Sequence, residues 1–426
     1  MIPSSNSSSK TRLAIVGGGI GGLLCAVALK DCLNIEIDLY EQALQITEIG
    51  AGIALWSRTR KFLEYLGLKE DLVATLPEGF NFNQPPEGVE FRISDRKEGF
   101  TFLNGDMKAL PFHRQDLQQT LLKHVPSFCR IHLDHRLIKC KEQEDCVELY
   151  FKNGSEATCD VLIGADGIKS MTRECFHHKG IFYTGIQVFR GLIPKENLEK
   201  INPKHRTLQR QTIYCGKNKH VVVYPISRGR FINVVAFFSN MADEGKPLDG
   251  PEIKSATTEE VLSHFVGWEE EVQELLGSVE NPSRWMIRDL RPMDTYVSRR
   301  ISLLGDAAHL MQPHLGAGAG QAMEDGYVLG RLFCEGGSEI WARILQAYNY
   351  VRQPYGNMIQ RNARNQGFCY ELNAPGFEDV KEIGQELTSE QISVLSDAIT
   401  KNYSWVESDA DGDFARAMQF LTRVDS

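Results

Sequence analysis

The stretch Leu13-Ala14-Ile15-Val16-Gly17-Gly18-Gly19-Ile20-Gly21-Gly22 decides the fold. Four apolar residues that stop at glycines are the pattern of a short buried parallel strand. Gly17, Gly19 and Gly22 fit G-x-G-x-x-G, and residues 23–29, rich in Ala and Leu, follow as a helix. Residues 35–40 alternate as a second strand and end at an acid, Glu41, 19 residues beyond Gly22. This is a βαβ unit with the context a dinucleotide motif requires. The glycines let the backbone turn tightly and approach a pyrophosphate at a helix N-terminus, and the acid is placed for a ribose hydroxyl. The pattern alone leaves FAD and NAD both open, with a ligand-free Gly-rich turn as the plain alternative.

Outward from this unit, residues 62–68 suggest a helix ending near Gly67. Residues 76–110, with Pro85-Pro86 and several glycines, suggest loops and antiparallel strands. Residues 114–124 are expected to be helical, and residues 147–151 and 161–163 to be strands. From 183 to 283 the pattern turns β-rich, with runs at 220–224 and 231–238 joined by a hairpin connection at 225–230. Residues 259–276 are helical by pattern and 301–304 form one more buried strand. A Gly-rich loop leads to a helix over 321–334, and 338–426 is largely helical. Residues 1–10 are polar and Ser-rich and are expected to be a disordered tail.

The chain of 426 residues is too long for one ordinary core and implies two lobes or domains. Its 47 basic and 56 acidic residues give a net charge of −9, which offers no general attraction to nucleic acid or anionic lipid. No apolar run is long enough to span a membrane, and the N-terminus lacks the apolar core of a secretory signal. None of the ten cysteines forms a C-x-x-C pair, and none stands at zinc spacing with His. A reduced cytoplasmic setting follows, with the cysteines as small buried hydrophobes and no metal centre.

Two later segments repeat the logic of the first. Residues 159–173 contain Leu162-Ile163-Gly164-Ala165-Asp166-Gly167, and residues 303–325 contain Gly305-Asp306 followed by Pro313-His314-Leu315-Gly316-Ala317-Gly318-Ala319-Gly320. Each begins as a buried strand ending in Gly and Asp. An Asp there accepts hydrogen bonds from sugar or ribityl hydroxyls, and the glycine-rich run opens a helix with free N–H groups. The three segments, in this order, resemble the class A flavin-dependent aromatic hydroxylases, which share the para-hydroxybenzoate hydroxylase fold. The resemblance covers roughly residues 11–370 and is closest to salicylate hydroxylases. It rests further on residues 162–170, 229–237 and 313–321 and on the acidic-aromatic tail around Trp405. It implies an α/β fold: a Rossmann-like FAD-binding domain built from 11–75, 111–182 and 284–355, substrate-domain strands at 76–110, an inserted substrate-binding β-sheet at 183–283, and a helical C-terminal region at 356–426.

The resemblance also assigns residues. Gly17, Gly19, Gly22 and Glu41 meet the ADP part of FAD. Asp166 and Gly167 serve FAD and a passing NADH or NADPH. Asp306 meets the ribityl chain, and Pro313, Gly318 and Ala319 lie against the isoalloxazine. Arg114, in Phe112-His113-Arg114, contacts a flavin phosphate or the ribityl chain. Trp56-Ser57 stands where the family has Pro-Asn. For substrate chemistry, His220 and Tyr224 share one face of a strand; by pattern alone His220 is first a core or surface histidine, and the resemblance moves it to the pocket. His314 and Arg190 are further pocket candidates, Arg190 for a substrate carboxylate. The implied reaction uses NAD(P)H and O2 to hydroxylate a phenolic aromatic acid through a flavin C4a-hydroperoxide, with salicylate giving catechol and CO2. Another aromatic acid, such as 3-hydroxybenzoate or 6-hydroxynicotinate, stays open, as does a non-catalytic nucleotide-binding role. A halogenase is disfavoured because W-x-W-x-I-P is absent. The protein is expected to be a monomer or homodimer.

Overall fold

A computed structural model describes residues 10–46, 52–76, 82, 88–177, 180–227, 229–248 and 250–423. The expected N-terminal tail over 1–9, Pro85-Pro86 and residues 424–426 lie outside the described residues. The fold is mixed α/β, as the motif requires. Thr11–Val16 is the middle strand of a five-stranded parallel sheet in the order Ile301–Leu303, Val161–Gly164, Thr11–Val16, Ile35–Tyr40, Cys129–His132. The chain leaves the middle strand toward Ile35–Tyr40 on one side and returns on the other side much later. This reversal of strand order makes the carboxyl ends of Thr11–Val16 and Val161–Gly164 a topological switch point, where open parallel sheets bind ligands.

The helix after the glycines, Ile20–Ala28, is buried along its whole length. It crosses the helix Gly318–Gly336 at very short range, because Gly326 and Gly330 carry no Cβ. An added Cβ would lie 2.9 Å from Cys25 N and 2.6 Å from the Ala28 Cβ respectively. Two segments 300 residues apart in sequence are thereby packed into one lobe.

The second lobe is built on an eight-stranded sheet. Its long strands Ile181–Pro194, Phe231–Ser239 and Lys219–Ile226 run antiparallel, and Thr212–Gly216 joins them to Glu90–Ile93. The pair 219–226 and 231–239 is the expected hairpin. Helix Arg114–His124 has the expected bounds. Trp341–Tyr370, 30 residues long, ends against the large sheet. Among the described residues no helix is long and apolar enough to cross a membrane.

Several local expectations need correction. The helix expected at 62–68 is Ser57–Tyr65, starting as soon as the strand Gly52–Trp56 ends; Gly67, at φ 78°, turns the chain after it. The single helix expected over 259–276 is two, Thr258–His264 and Glu270–Gly277, parted at Gly267 with φ 84°. Residues 371–388 form no helix. The cysteines are not all bystanders: Cys140 and Cys175 are joined by a disulfide, while eight are free.

Candidate active site

A cavity of about 1290 Å³ opens at the switch point and runs to the face of the large sheet. One end is lined by Gly17, Gly18, Gly19 and Glu41, the middle by Arg114, Asp306 and residues 316–319, and the far end by Arg190, Tyr224 and Phe237. The glycines of the first turn are there by necessity. Gly17 has φ 111°, and a Cβ on it would lie 2.2 Å from the Ala165 carbonyl oxygen. Gly22 is the exception among the expected cofactor residues: it does not line the cavity. Its missing Cβ lets the helix start sit on the turn, since a Cβ there would be 2.0 Å from the Gly17 carbonyl oxygen.

The acids behave differently from one another. Glu41 accepts the Gly18 N–H at 2.7 Å and the Ala43 N–H at 2.8 Å, one on each oxygen. A second lone pair on each oxygen stays available to a hydroxyl. Asp166 is turned into its own loop, accepting from Ser170 Oγ at 2.5 Å, Thr172 N at 2.9 Å and Thr172 Oγ1 at 3.1 Å. Burial raises its pKa against those hydrogen bonds. Asp166 therefore shapes the loop on which Gly167, at φ 70°, borders the cavity. Asp306 is exposed on the cavity wall, and its charge supports the Arg114 guanidinium, whose pKa is lowered by desolvation within the cavity.

At the far end, Arg190 projects from the strand Ile181–Pro194 onto the cavity wall. Its guanidinium lies 5.1 Å over the Trp285 ring, its Nε has no hydrogen-bond partner, and burial lowers its pKa. Tyr224 donates to the Gly52 carbonyl at 3.2 Å, and burial pushes its phenol up to about 12. Pro313 and His314 form a single 3-10 turn before the glycines, and both line the cavity, with His314 buried. Burial, reinforced by His220, pushes His314 down to about 3.

His220 sits elsewhere than expected. It is on the same strand face as Val222 and Tyr224, but it is fully buried and is not on the cavity wall. Phe237 stacks on it at 4.0 Å, and His314 stands beside it at 5.1 Å between ring centroids. Its strand enters from beyond the edge of the cavity, so His220, two positions before Val222, is covered by these rings.

The comparisons with known proteins agree with this arrangement. Residues 10–363 match the FAD binding domain family. The chain belongs to that family. Salicylate hydroxylase from Pseudomonas putida is 32% identical over 97% of this chain and 96% of its own length. A 3-amino-4-hydroxybenzoate 2-monooxygenase from Streptomyces cremeus is 30% identical over 89% of this chain and 92% of its own. Among solved structures, a salicylate hydroxylase substrate complex superposes with a TM-score of 0.83 at 28% identity, covering 96% of this chain and 98% of that one. The protein is thus an FAD-dependent monooxygenase of the salicylate hydroxylase type.

The residues of this monooxygenase fit the flavin nucleotide on their own terms. The cradle at Gly17 has no room for a side chain. A buried acceptor, Gln118 Oε1, faces the same wall without a partner. The first-turn N–H groups of Gly318–Gly336 lack intrahelical acceptors. We expect Gly22→Ala to force the helix off the turn. Overpacking of this kind costs about 1–3 kcal/mol, or about ten- to a hundredfold in FAD affinity, read as flavin absorbance per protein after gel filtration.

Three wall or near-wall residues were not singled out as pocket residues in the sequence. Tyr403, from the C-terminal helix Ser389–Tyr403, lines the cavity. Trp56 donates its indole N–H to the Leu315 carbonyl at 3.1 Å and packs 5.2 Å from Tyr403. The departure at 56–57 thus ties the flavin-side loop to the C-terminal region. Glu371, just past the end of Trp341–Tyr370, accepts from Ser239 Oγ at 2.8 Å and pairs with His220 Nδ1 at 3.0 Å. Trp56 was legible as a family departure; Tyr403 and Glu371 carried no local signal.

Proposed function

We propose that the protein catalyses NAD(P)H- and O2-dependent hydroxylation of a phenolic aromatic acid, with salicylate converted to catechol and CO2. The observation that carries this reading is Arg190: a guanidinium with no ion-pair partner among the described residues, on a wall that also carries the apolar Ile213, Val222, Val235 and Phe237 and the polar Tyr224 and Asn233. A flat apolar ring with one carboxylate matches apolar walls with one cation. Similarity to a salicylate hydroxylase over nearly the full length supports the particular acid.

In this reading FAD, when bound, supplies the electron transfer from NAD(P)H and the activation of oxygen. The chain does the rest. Arg190 binds the carboxylate, and Tyr224 fixes the ring edge beside it. The rings of Phe237 and His314 exclude water from the reacting face. His314, whose ring lines the cavity, is the candidate base for the phenolic proton. His220 acts one layer behind as a positioning residue. Hydroxylation at the carboxyl-bearing carbon then releases CO2.

The test is a panel of salicylate, 3-hydroxybenzoate, 6-hydroxynicotinate and 3-amino-4-hydroxybenzoate with each nicotinamide cofactor, scoring product and CO2. Catechol and CO2 in equal amounts from salicylate are expected. Turnover of another acid with salicylate inert would reassign the substrate. Trp56→Phe probes the flavin-side loop: it keeps the ring packing and removes the bond to Leu315, worth about 0.5–1.5 kcal/mol. FAD should be retained, with a several-fold larger share of consumed O2 appearing as H2O2.

A further inference from the structure

We propose that the Cys140–Cys175 disulfide is a reversible redox site that sets how tightly the flavin nucleotide is held. This depends on FAD binding alone and not on which aromatic acid is the substrate.

The bond joins two walls of the cavity. Cys140 lies in the strand Leu137–Glu142, whose first residues, Leu137 and Ile138, line the cavity beside His135 and Arg136. Cys175 directly follows the short helix Met171–Glu174, and Met171 lines the same cavity together with residues 165–169. Both walls are fastened to the end that carries Gly17 and Glu41. The His135 N–H donates to the Glu41 carbonyl at 2.8 Å, and the Ala165 N–H donates to the Val16 carbonyl at 2.8 Å. The disulfide is the covalent tie between them.

Each wall stays anchored without that tie. Cys140 pairs with Leu149 in a sheet ladder. On the other side the buried Arg173 donates to the Ile168 carbonyl at 2.9 Å and the Ala307 carbonyl at 3.1 Å. Asp166 holds the helix start through the Thr172 N–H at 2.9 Å. Breaking the S–S bond therefore leaves both walls folded and lets one shift against the other. The reduced Cys175 thiol has acceptors at hand, the Cys140 carbonyl at 3.3 Å and the Met171 carbonyl at 3.5 Å. Neither redox state leaves an orphan donor.

Access is one-sided. Cys140 is buried and Cys175 is half-buried, so an attacking thiolate meets the Cys175 sulfur first. Eight further cysteines are free, so this bond belongs to no structural disulfide framework.

The chemistry balances. A peroxide oxidises Cys175: the O–O bond breaks, S–O forms, and one water leaves. The Cys140 sulfur then displaces the sulfenic oxygen, S–S forms, and a second water leaves with the Cys140 proton. Two electrons pass from the two thiols to hydrogen peroxide. A dithiol reverses this. Its thiolate attacks Cys175, Cys140 departs and takes a proton, and the second thiol releases Cys175 as a thiol while the dithiol closes to its own disulfide. In the crosslinked state the walls are already ordered around the nucleotide, which favours binding.

The test incubates the FAD-loaded protein in the dark with graded oxidised and reduced dithiothreitol, and separately with hydrogen peroxide. Alkylation and mass measurement give the crosslinked fraction, and the fluorescence of flavin released on dilution gives the affinity. Ordering one residue of wall corresponds to roughly a tenfold change in affinity. The fully reduced protein should therefore hold FAD about tenfold less tightly than the crosslinked one. Cys140→Ser and Cys175→Ser should show the reduced affinity in every buffer. Cys146→Ser and Cys334→Ser, at half-buried free cysteines, should respond like the parent. A difference under about twofold between crosslinked and reduced parent overturns the proposal. So does a reduced parent that peroxide fails to crosslink, or a response that survives Cys140→Ser. Should the Ser variants fail to fold, the parent alone decides: an affinity that follows the crosslinked fraction supports the proposal, and one that ignores it overturns it.

Discussion

Arg190→Met is expected to weaken binding of the aromatic acid by about 10- to 100-fold. A hydrogen bond to a charged group contributes about 1.5–3 kcal/mol, and each 1.4 kcal/mol is about tenfold in affinity. The residue is half-buried with its Nε fully buried and unpaired, has no carboxylate partner among the described residues, and stacks over Trp285. A buried cation in that state is costly to the ligand-free protein. Two readouts should therefore move in opposite directions. Ligand-free Arg190→Met should melt at the same or a higher temperature than the parent, because an uncompensated charge has been replaced by a hydrophobe. The stabilisation that the parent gains on adding salicylate should be lost. Arg190→Lys should sit between, since an ammonium keeps the charge but not the two-pronged geometry. Titration of the flavin absorbance with salicylate gives the affinities. A change below threefold in Arg190→Met would remove Arg190 from the carboxylate site.

How much of this was legible in the sequence follows from the range of each contact. The turn at 17–22, the helix Arg114–His124 and the strand-plus-Gly-Asp segments are local patterns, and the structure brings all three nucleotide segments to one cavity. Arg190 and Tyr224 were legible once the sheet was recognised, because strand alternation fixes which side chains share a face. Alternation does not say where the cavity ends along the strand; by pattern His220 is first a core or surface histidine, only the resemblance moves it to the pocket, and the structure buries it behind the wall. Glu371 is 151 residues from His220 and has no motif around it. Only the fold, by ending the helix Trp341–Tyr370 at that sheet, brings the two together. The Cys140–Cys175 pair escaped for the same reason: its members are 35 residues apart in no recognised spacing. The helix break at Gly267 was visible as a glycine, but its positive φ was not.

The largest stability effect is expected at Arg352, far from the substrate. Its guanidinium is fully buried and binds Asp325 at 2.7 Å, Asp413 at 2.9 Å, Glu324 at 3.2 Å and the Gln321 side-chain oxygen at 2.8 Å. Arg58, equally buried, joins the same Glu324 at 2.8 Å and also pairs with Asp413. Two buried guanidiniums thus answer three carboxylates drawn from two helices, with His309 on Asp325 at 2.6 Å and the exposed Arg416 on Asp413 as further partners. Such a network is weak evidence for net stability as a whole, because desolvating all its charges offsets their attraction. Removing one member is another matter. Arg352→Met leaves the carboxylates short of a cation in a dry interior, at about 3–5 kcal/mol. By the usual proportion for large domains this is a fall of roughly 10 °C in melting temperature. The effect should reach the flavin as well. Asp325 also accepts the N–H of Gly305 at 2.9 Å, and Gly305 precedes Asp306 on the cavity wall. The melting temperature should therefore drop in the FAD-free protein, and FAD should restore less of it than in the parent. Arg352→Lys keeps the charge but satisfies fewer of the four acceptors, and should lose less. A fall of under 2 °C in Arg352→Met, with FAD binding intact, would show that Arg58, His309 and Arg416 compensate the buried acids without it.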